Sequence, residues 1–244
     1  MKVGKLLLTA LICCSLTGMT APAFAEKEIA DEPMWDSAPA PKNYSPEKKK
    51  AAEEMVINQK SFTLAANPII VIDPGHGGDD TGALGNGLKE KDLTLDIGLR
   101  SKNYIVANYP ATVYMTRSSD TTVALSTRAS YANSKNANFF VSMHINAASL
   151  SSANGVETYN YPGSTTSLRL ATETYNQLRN SFSNDRGVKA AEFYVLKYTN
   201  MPASLGETGF ITNESDASQL AQSSFRQTLA TQYATGMHRY WWGF

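Results

Sequence analysis

The sequence predicts an α/β domain around a largely parallel sheet, with its reactive groups gathered beyond the strand ends. Three observations predict it. Short β-branched and aromatic runs alternate with stretches of helical spacing from Asn67 onward. Two of the chain's three histidines, His76 and His144, each close such an apolar run. In open α/β sheets the groups that bind and react collect outside the carboxyl ends of the strands.

The elements follow in order. Residues 69–73 (Ile-Ile-Val-Ile-Asp) read as a buried strand bounded by turn residues. Residues 92–108 read as a helix, with Leu93, Ile97 and Tyr104-Ile105 near helical spacing. Residues 112–116 predict a strand, 125–134 a helix, and 139–144 the most apolar strand of the chain. A strand at 156–161 and a helix at 167–182 come next. Residues 193–196 and 203–206 are expected as short strands, and 223–240 as the closing helix. About 180 residues suffice for one hydrophobic core and not for two.

The segments before residue 67 differ. Lys2 and Lys5 precede an apolar run, and Ala23-Phe24-Ala25 is an A-x-A cleavage pattern, so residues 1–25 are expected to be a secretory signal peptide. Both cysteines, Cys13 and Cys14, fall inside it, which leaves a mature chain without disulfide or thiolate chemistry. Residues 26–66 are rich in proline, alanine, lysine and glutamate and read as a linker. Within it, Ser45-Pro46-Glu47 resembles a helix start that a charged helix over 48–59 would continue. Losing the signal's two lysines takes the formal net charge from zero to −2, which argues against nucleic acid as a partner. No segment of the mature chain is apolar enough to span a bilayer.

Four residues are candidates for chemistry. His76 lies in Asp73-Pro74-Gly75-His76-Gly77-Gly78, where glycines leave the ring uncrowded; a histidine capping a tight turn reads the same way. Glu90 follows a glycine-rich loop at a helix start, where the helix dipole alone also favours an acid. His144 ends its strand just before Asn146, and a buried core histidine is the competing reading. Glu207 closes a short strand inside a Gly-x-x-Gly turn, which suits a general base or an acid satisfied by turn amides. Two imidazoles and a carboxylate are a hydrolytic metal set with one position left open. His238, beside Arg239 and Trp241-Trp242, is expected at the surface, and Arg117 and Arg128 are expected to be structural.

Taken together these motifs resemble the zinc-dependent N-acetylmuramoyl-L-alanine amidases of family 3, which cleave bacterial peptidoglycan. The resemblance runs from about Pro68 to Tyr240. It rests on Ile72-Asp73-Pro74-Gly75-His76-Gly77-Gly78, Lys89-Glu90-Lys91-Asp92-Leu93, Ser142-Met143-His144-Ile145-Asn146-Ala147, Asp185-Arg186-Gly187-Val188 and Glu207-Thr208-Gly209-Phe210-Ile211-Thr212-Asn213, in the family's order. It implies a single twisted six-stranded sheet flanked by helices on both faces. It also implies that His76, Glu90 and His144 ligate zinc and that Glu207 is the catalytic carboxylate. Arg186 is the expected partner of a stem-peptide carboxylate, or else of Asp185 or another neighbour, and Asn146 is a further substrate-binding candidate.

The expected protein is then a secreted monomer acting on peptidoglycan in the cell wall or periplasm. Activator-dependent relatives carry a long helical insert before the helix predicted at 167–182, and Tyr161-Pro162-Gly163-Ser164-Thr165 leaves no room for one, so no activator protein is expected. The competing enzyme is a zinc peptidase cutting elsewhere in the stem peptide. A wall-binding module without catalysis would lack a ligand or a base, and none is missing. A glycosidase using Glu90 and Glu207 would leave both strand-end histidines without a role.

Overall fold

The apolar runs read from the sequence become the centre of one sheet. The computed structural model describes residues 39–58 and 67–243. The expected signal peptide, residues 1–25, lies outside the described residues. The strands are β1 (Ile69–Pro74), β2 (Leu84–Gly85), β3 (Leu88–Lys89), β4 (Thr112–Met115), β5 (Phe139–Asn146), β6 (Val156–Asn160), β7 (Asp185–Ala190) and β8 (Ala203–Phe210). The helices are α1 (Pro46–Asn58), α2 (Glu90–Asn108), α3 (Leu125–Ser134), α4 (Thr165–Leu178), α5 (Tyr194–Lys197), α6 (Glu214–Leu220) and α7 (Ser223–Trp242).

Six strands form the main sheet in the order β4-β1-β5-β8-β6-β7. β4, β1, β5 and β8 run parallel, and β6 turns antiparallel to β8 with β7 parallel to it. Strand alternation sorts the buried side chains onto two faces. Ile70, Ile72, Phe139, Val141, Met143 and Ile145 pack with residues of α2, α4 and α7. Val71, Phe140, Ala203 and Leu205 face Ala132 of α3 and Val195 and Leu196 of α5. Helices therefore cover both faces, and each fully buried Ile, Leu or Phe contributes roughly 1.5–3 kcal/mol.

Several elements differ from the sequence reading. Residues 193–196 do not form a strand: Tyr194–Lys197 is one helical turn with Tyr194, Val195 and Leu196 buried, and a short apolar run has no period long enough to separate the two. The sixth strand is instead Asp185–Ala190, whose charged residues and lone valine disguise an edge strand. β8 runs on to Phe210, so Glu207 sits within a strand and not in a turn. The helix expected over 167–182 starts earlier, where Ser164 accepts from Ser167 N, and its last turn is the 3-10 segment Arg179–Ser181.

Residues 26–66 read as a linker, with a charged helix over 48–59 as the alternative; among the described residues Pro46–Asn58 is helical, with Ser45 accepting the Lys48 amide at 3.2 Å. This helix is docked as well as formed. Lys49 is buried, its Nζ donating to Leu196 O at 2.5 Å and Lys197 O at 3.0 Å and lying 4.5 Å from the Tyr161 ring centroid. Asn200 accepts from Ser45 N and donates to Asn43 O, tying the same stretch to the chain just before β8. No helix among the described residues is long and apolar enough to cross a membrane.

Candidate metal and catalytic site

Strand register gathers the candidates into one row across the sheet. His144 of β5 pairs with Glu207 of β8, and Glu207 pairs with Glu157 of β6. β1 ends one step earlier, with Pro74 opposite Met143, and Gly75 N then donates to Met143 O at 2.9 Å. The chain leaves the sheet there and delivers His76 beside His144. The two rings meet edge to face with centroids 4.9 Å apart.

The turn carrying His76 is held by buried arginines. His76 has φ 59, a left-handed backbone that a non-glycine residue keeps only when its surroundings enforce it. Arg128 donates to Pro74 O and His76 O, both at 2.7 Å, and pairs with buried Asp73 at 2.8 Å. Arg117 donates to Pro74 O at 2.9 Å and Gly75 O at 2.8 Å. Both arginines are thus structural, as the sequence suggested. Asp80 accepts from His76 Nδ1 at 2.9 Å, which leaves Nε2 facing inward, 3.1 Å from Glu90 Oε1.

Glu90 is the first residue of α2 and is buried. Its Oε2 accepts from Ala83 N at 2.9 Å and its Oε1 from Ile145 N at 3.0 Å. The same Oε1 lies 2.9 Å from His144 Nδ1. Burial alone would raise the Glu90 pKa, but the hydrogen bonds and charge of the two histidines hold it well below the usual carboxylate range. One ligand atom from each of His76, Glu90 and His144 lies within 4.8 Å of the others. Two imidazole nitrogens and a carboxylate oxygen, already converging and aimed inward, suit a divalent metal ion.

Glu207 stands next to that cluster without belonging to it. Its Oε2 is enclosed and, among the described residues, has no hydrogen-bond partner. Burial, and then the charges of Glu90 and Glu157, raise its pKa well above the ordinary value. Tyr233 of α7 fixes the strand beside it, donating to Gly206 O at 3.3 Å. A carboxylate so placed is fit to exchange a proton with a water at the metal cluster.

The two expected substrate-binding residues meet on a group the sequence reading missed. Asn146 Nδ2 donates to Glu157 Oε1 at 2.9 Å and Arg186 Nε to Glu157 Oε2 at 2.8 Å. Of the partners within the chain expected for Arg186, Asp185 or another neighbour, the neighbour Glu157 is found, while Asp185 pairs with Arg179. A charged residue inside Val-Glu-Thr-Tyr-Asn was the available signal for Glu157, since unpaired charges are almost never buried. For Asp80 the signal was an acid four residues beyond a glycine-flanked histidine. His238, expected at the surface, is half-buried on α7, stacked between Tyr109 (centroids 4.2 Å) and Trp242 (4.9 Å), and does not belong to the cluster.

Comparison with known proteins agrees with this geometry. The family model of N-acetylmuramoyl-L-alanine amidase matches residues 70–239. The chain belongs to that family. It is 43% identical over 177 residues to the N-acetylmuramoyl-L-alanine amidase CwlM of Bacillus licheniformis, covering 70% of this chain and 67% of that protein. It is 44% identical over 193 residues to the N-acetylmuramoyl-L-alanine amidase LytC of Bacillus subtilis, covering 76% of this chain but 38% of the relative. The solved catalytic domain of the amidase CwlV from Bacillus (Paenibacillus) polymyxa superposes with a TM-score of 0.68 at 33% identity, over 71% of this chain and 97% of that one. The amidase fold therefore accounts for the sheet and its flanking helices, and the row of acids and imidazoles lies within the matched residues.

Proposed function

We propose that this chain is a zinc-dependent N-acetylmuramoyl-L-alanine amidase that hydrolyses the amide between the lactyl group of N-acetylmuramic acid and L-alanine in peptidoglycan. The observation that carries the reading is the convergence of His76, Glu90 and His144 beside an enclosed carboxylate oxygen of Glu207 that has no hydrogen-bond partner among the described residues. His76 Nε2, His144 Nδ1 and Glu90 Oε1 would hold the metal. When bound, zinc supplies Lewis acidity that lowers the pKa of a water and polarises a carbonyl.

The remaining work falls to residues of the chain. Glu207 takes a proton from the attacking water and returns it to the alanine nitrogen as the C–N bond breaks. Asp80 fixes the His76 ring by accepting from Nδ1, and Glu90 is fixed by the Ala83 and Ile145 amides, so neither ligand needs to reorganise.

Secretion through residues 1–25 and action in the cell wall or periplasm belong to the same reading. So do a monomeric state, a catalytic domain beginning near residue 67, and independence from an activator protein. The short 161–164 connection between β6 and α4, where a covering insert would stand, supports that independence. Mass spectrometry of peptidoglycan digested by the purified mature chain alone tests the assignment. Free L-alanine N-termini on intact glycan strands are expected; new termini elsewhere in the stem peptide would instead mean a zinc peptidase.

A further inference from the structure

Two cations stand at the open edge of the sheet beside the catalytic row. Arg186 and Lys189 of β7 both turn back onto Glu157 Oε2, with Nε at 2.8 Å and Nζ at 2.5 Å. The other oxygen of Glu157 accepts from Asn146 at 2.9 Å and from the Tyr159 hydroxyl at 2.8 Å. Glu157 is buried, whereas the Arg186 and Lys189 side chains remain 31% and 39% exposed.

The backbone is shaped to aim these cations. β6 and β7 shift register between Val156 and Thr158, so the chain at Arg186-Gly187 bulges opposite Glu157, with Gly187 at φ 84. Bulges of this kind re-aim a side chain. Arg186 also lies over the Phe210 ring, 4.8 Å from its centroid. The donors of Lys189, Arg186 and Tyr159 hold Glu157 below the ordinary carboxylate pKa against the opposing effect of burial, so it stays ionised. Two cations against one carboxylate leave a net positive charge. Among the described residues, the Arg186 Nη groups make no hydrogen bond.

We propose that Arg186 and Lys189, positioned by Glu157, form a receptor for a carboxylate on the stem peptide, so that the enzyme distinguishes a free carboxylate from a carboxamide there. The proposal rests on the amidase reading above. The muramic carboxyl group is consumed in the scissile amide, and the glycan offers hydroxyl and acetamide groups, so the anion must come from the peptide. β7 lies two strands from Glu207, about 10 Å at ~4.8 Å per strand. An extended peptide covers that in roughly three residues at ~3.3–3.6 Å each, which places the carboxylate within the first three stem residues.

The test uses three synthetic N-acetylmuramoyl tripeptides: one with all carboxylates free, one amidated at the second residue and one amidated at the third. For the parent enzyme, amidation at one of the two positions is expected to lower kcat/KM about tenfold, mostly through KM, as loss of charge-assisted bonds requires. Arg186→Gln/Lys189→Gln should close that gap, and Glu157→Gln should narrow it by releasing the cations. If the double variant fails to fold, Lys189→Gln alone on the exposed edge carries the comparison, with the gap reduced. Cleavage of all three substrates within twofold by the parent, or an unchanged preference in the variants, would overturn the receptor. Failure of the amidase reading is distinct: the parent would then leave the lactyl amide of all three intact.

Discussion

The imidazole of His144 occupies the space that a side chain at residue 75 would need. A Cβ on Gly75 would fall 2.4 Å from His144 Cε1 and 2.5 Å from its Nε2. Gly82 stands in the same relation to the other two candidate ligands, with a Cβ 2.6 Å from Glu90 Oε2 and 2.7 Å from His76 Cδ2. The glycines around His76 thus make room for the whole cluster as well as letting the chain turn.

Gly75→Ala should therefore push His144 off its position while leaving the sheet intact. Metal affinity, read by competition with a chromophoric chelator, is expected to fall about 10–100-fold, the scale on which ligand orientation acts. Thermal unfolding should remain one cooperative transition. Unchanged affinity would mean that the ring can shift without cost.

Asp80 orients His76 without facing the cluster. Asp80→Ala removes the acceptor from Nδ1, and zinc affinity is expected to drop roughly 10–100-fold; Asp80→Asn, which keeps one acceptor oxygen, should fall between. Equal affinities for all three proteins would show that the His76 rotamer is fixed by its backbone alone.

Arg128→Ala leaves Asp73 as an uncompensated buried charge and frees the carbonyls of Pro74 and His76. A loss of about 3–5 kcal/mol is expected in urea denaturation, as for other broken buried pairs. Burial tends to raise the Asp73 pKa, but Arg128, Thr116 and Ser142 hold it below its ordinary value. The stability this confers is present above the unfolded carboxylate pKa and is lost as pH falls through the folded one. Acid unfolding of the variant should accordingly begin at higher pH than in the parent. A variant losing less than about 1 kcal/mol would contradict the role given to this pair.

Lys49 adds a pH effect of the same sign in an alkaline window. Burial lowers its pKa to about 8 from 10.5. Between those values the unfolded chain binds more protons than the folded one, so stability rises with pH across that window. Below pH 8 the buried ammonium is a cost that Lys49→Met does not carry. The stability difference between parent and variant should shift in the parent's favour from pH 7 to pH 10, by up to about 3 kcal/mol at ~1.36 kcal/mol per pKa unit. A difference independent of pH would mean that Lys49 is solvated in solution and that α1 does not dock.

Much of this fold was legible because its central strands are apolar on both faces. Phe139 and Phe140, or Ile70 and Val71, point opposite ways yet are all buried, and such runs stand out from any sequence. β7 was not legible, because an edge strand keeps its charges; the same Arg186 that hid the strand is held to Glu157. α5 was not legible because a single turn with only Tyr194, Val195 and Leu196 buried carries no usable period. His76 and His144 could be singled out as ligand types by their positions. Their meeting depends on the parallel register of β1 and β5, and Glu90 on the docking of α2, which local pattern does not reveal. Asp80 and Glu157 act through other residues and became visible only once those were placed.

In the proposed reaction His76, Glu90 and His144 hold one zinc, and Glu207 does the proton transfer without holding it. Measuring zinc content together with wall hydrolysis for purified Glu207→Gln tests this most directly. About one zinc per chain is expected, as in the parent, with hydrolysis reduced on the order of 10²–10⁴-fold. A Glu207→Gln protein that loses its zinc, or one that keeps it and still cleaves peptidoglycan at the parent's rate, would overturn these roles.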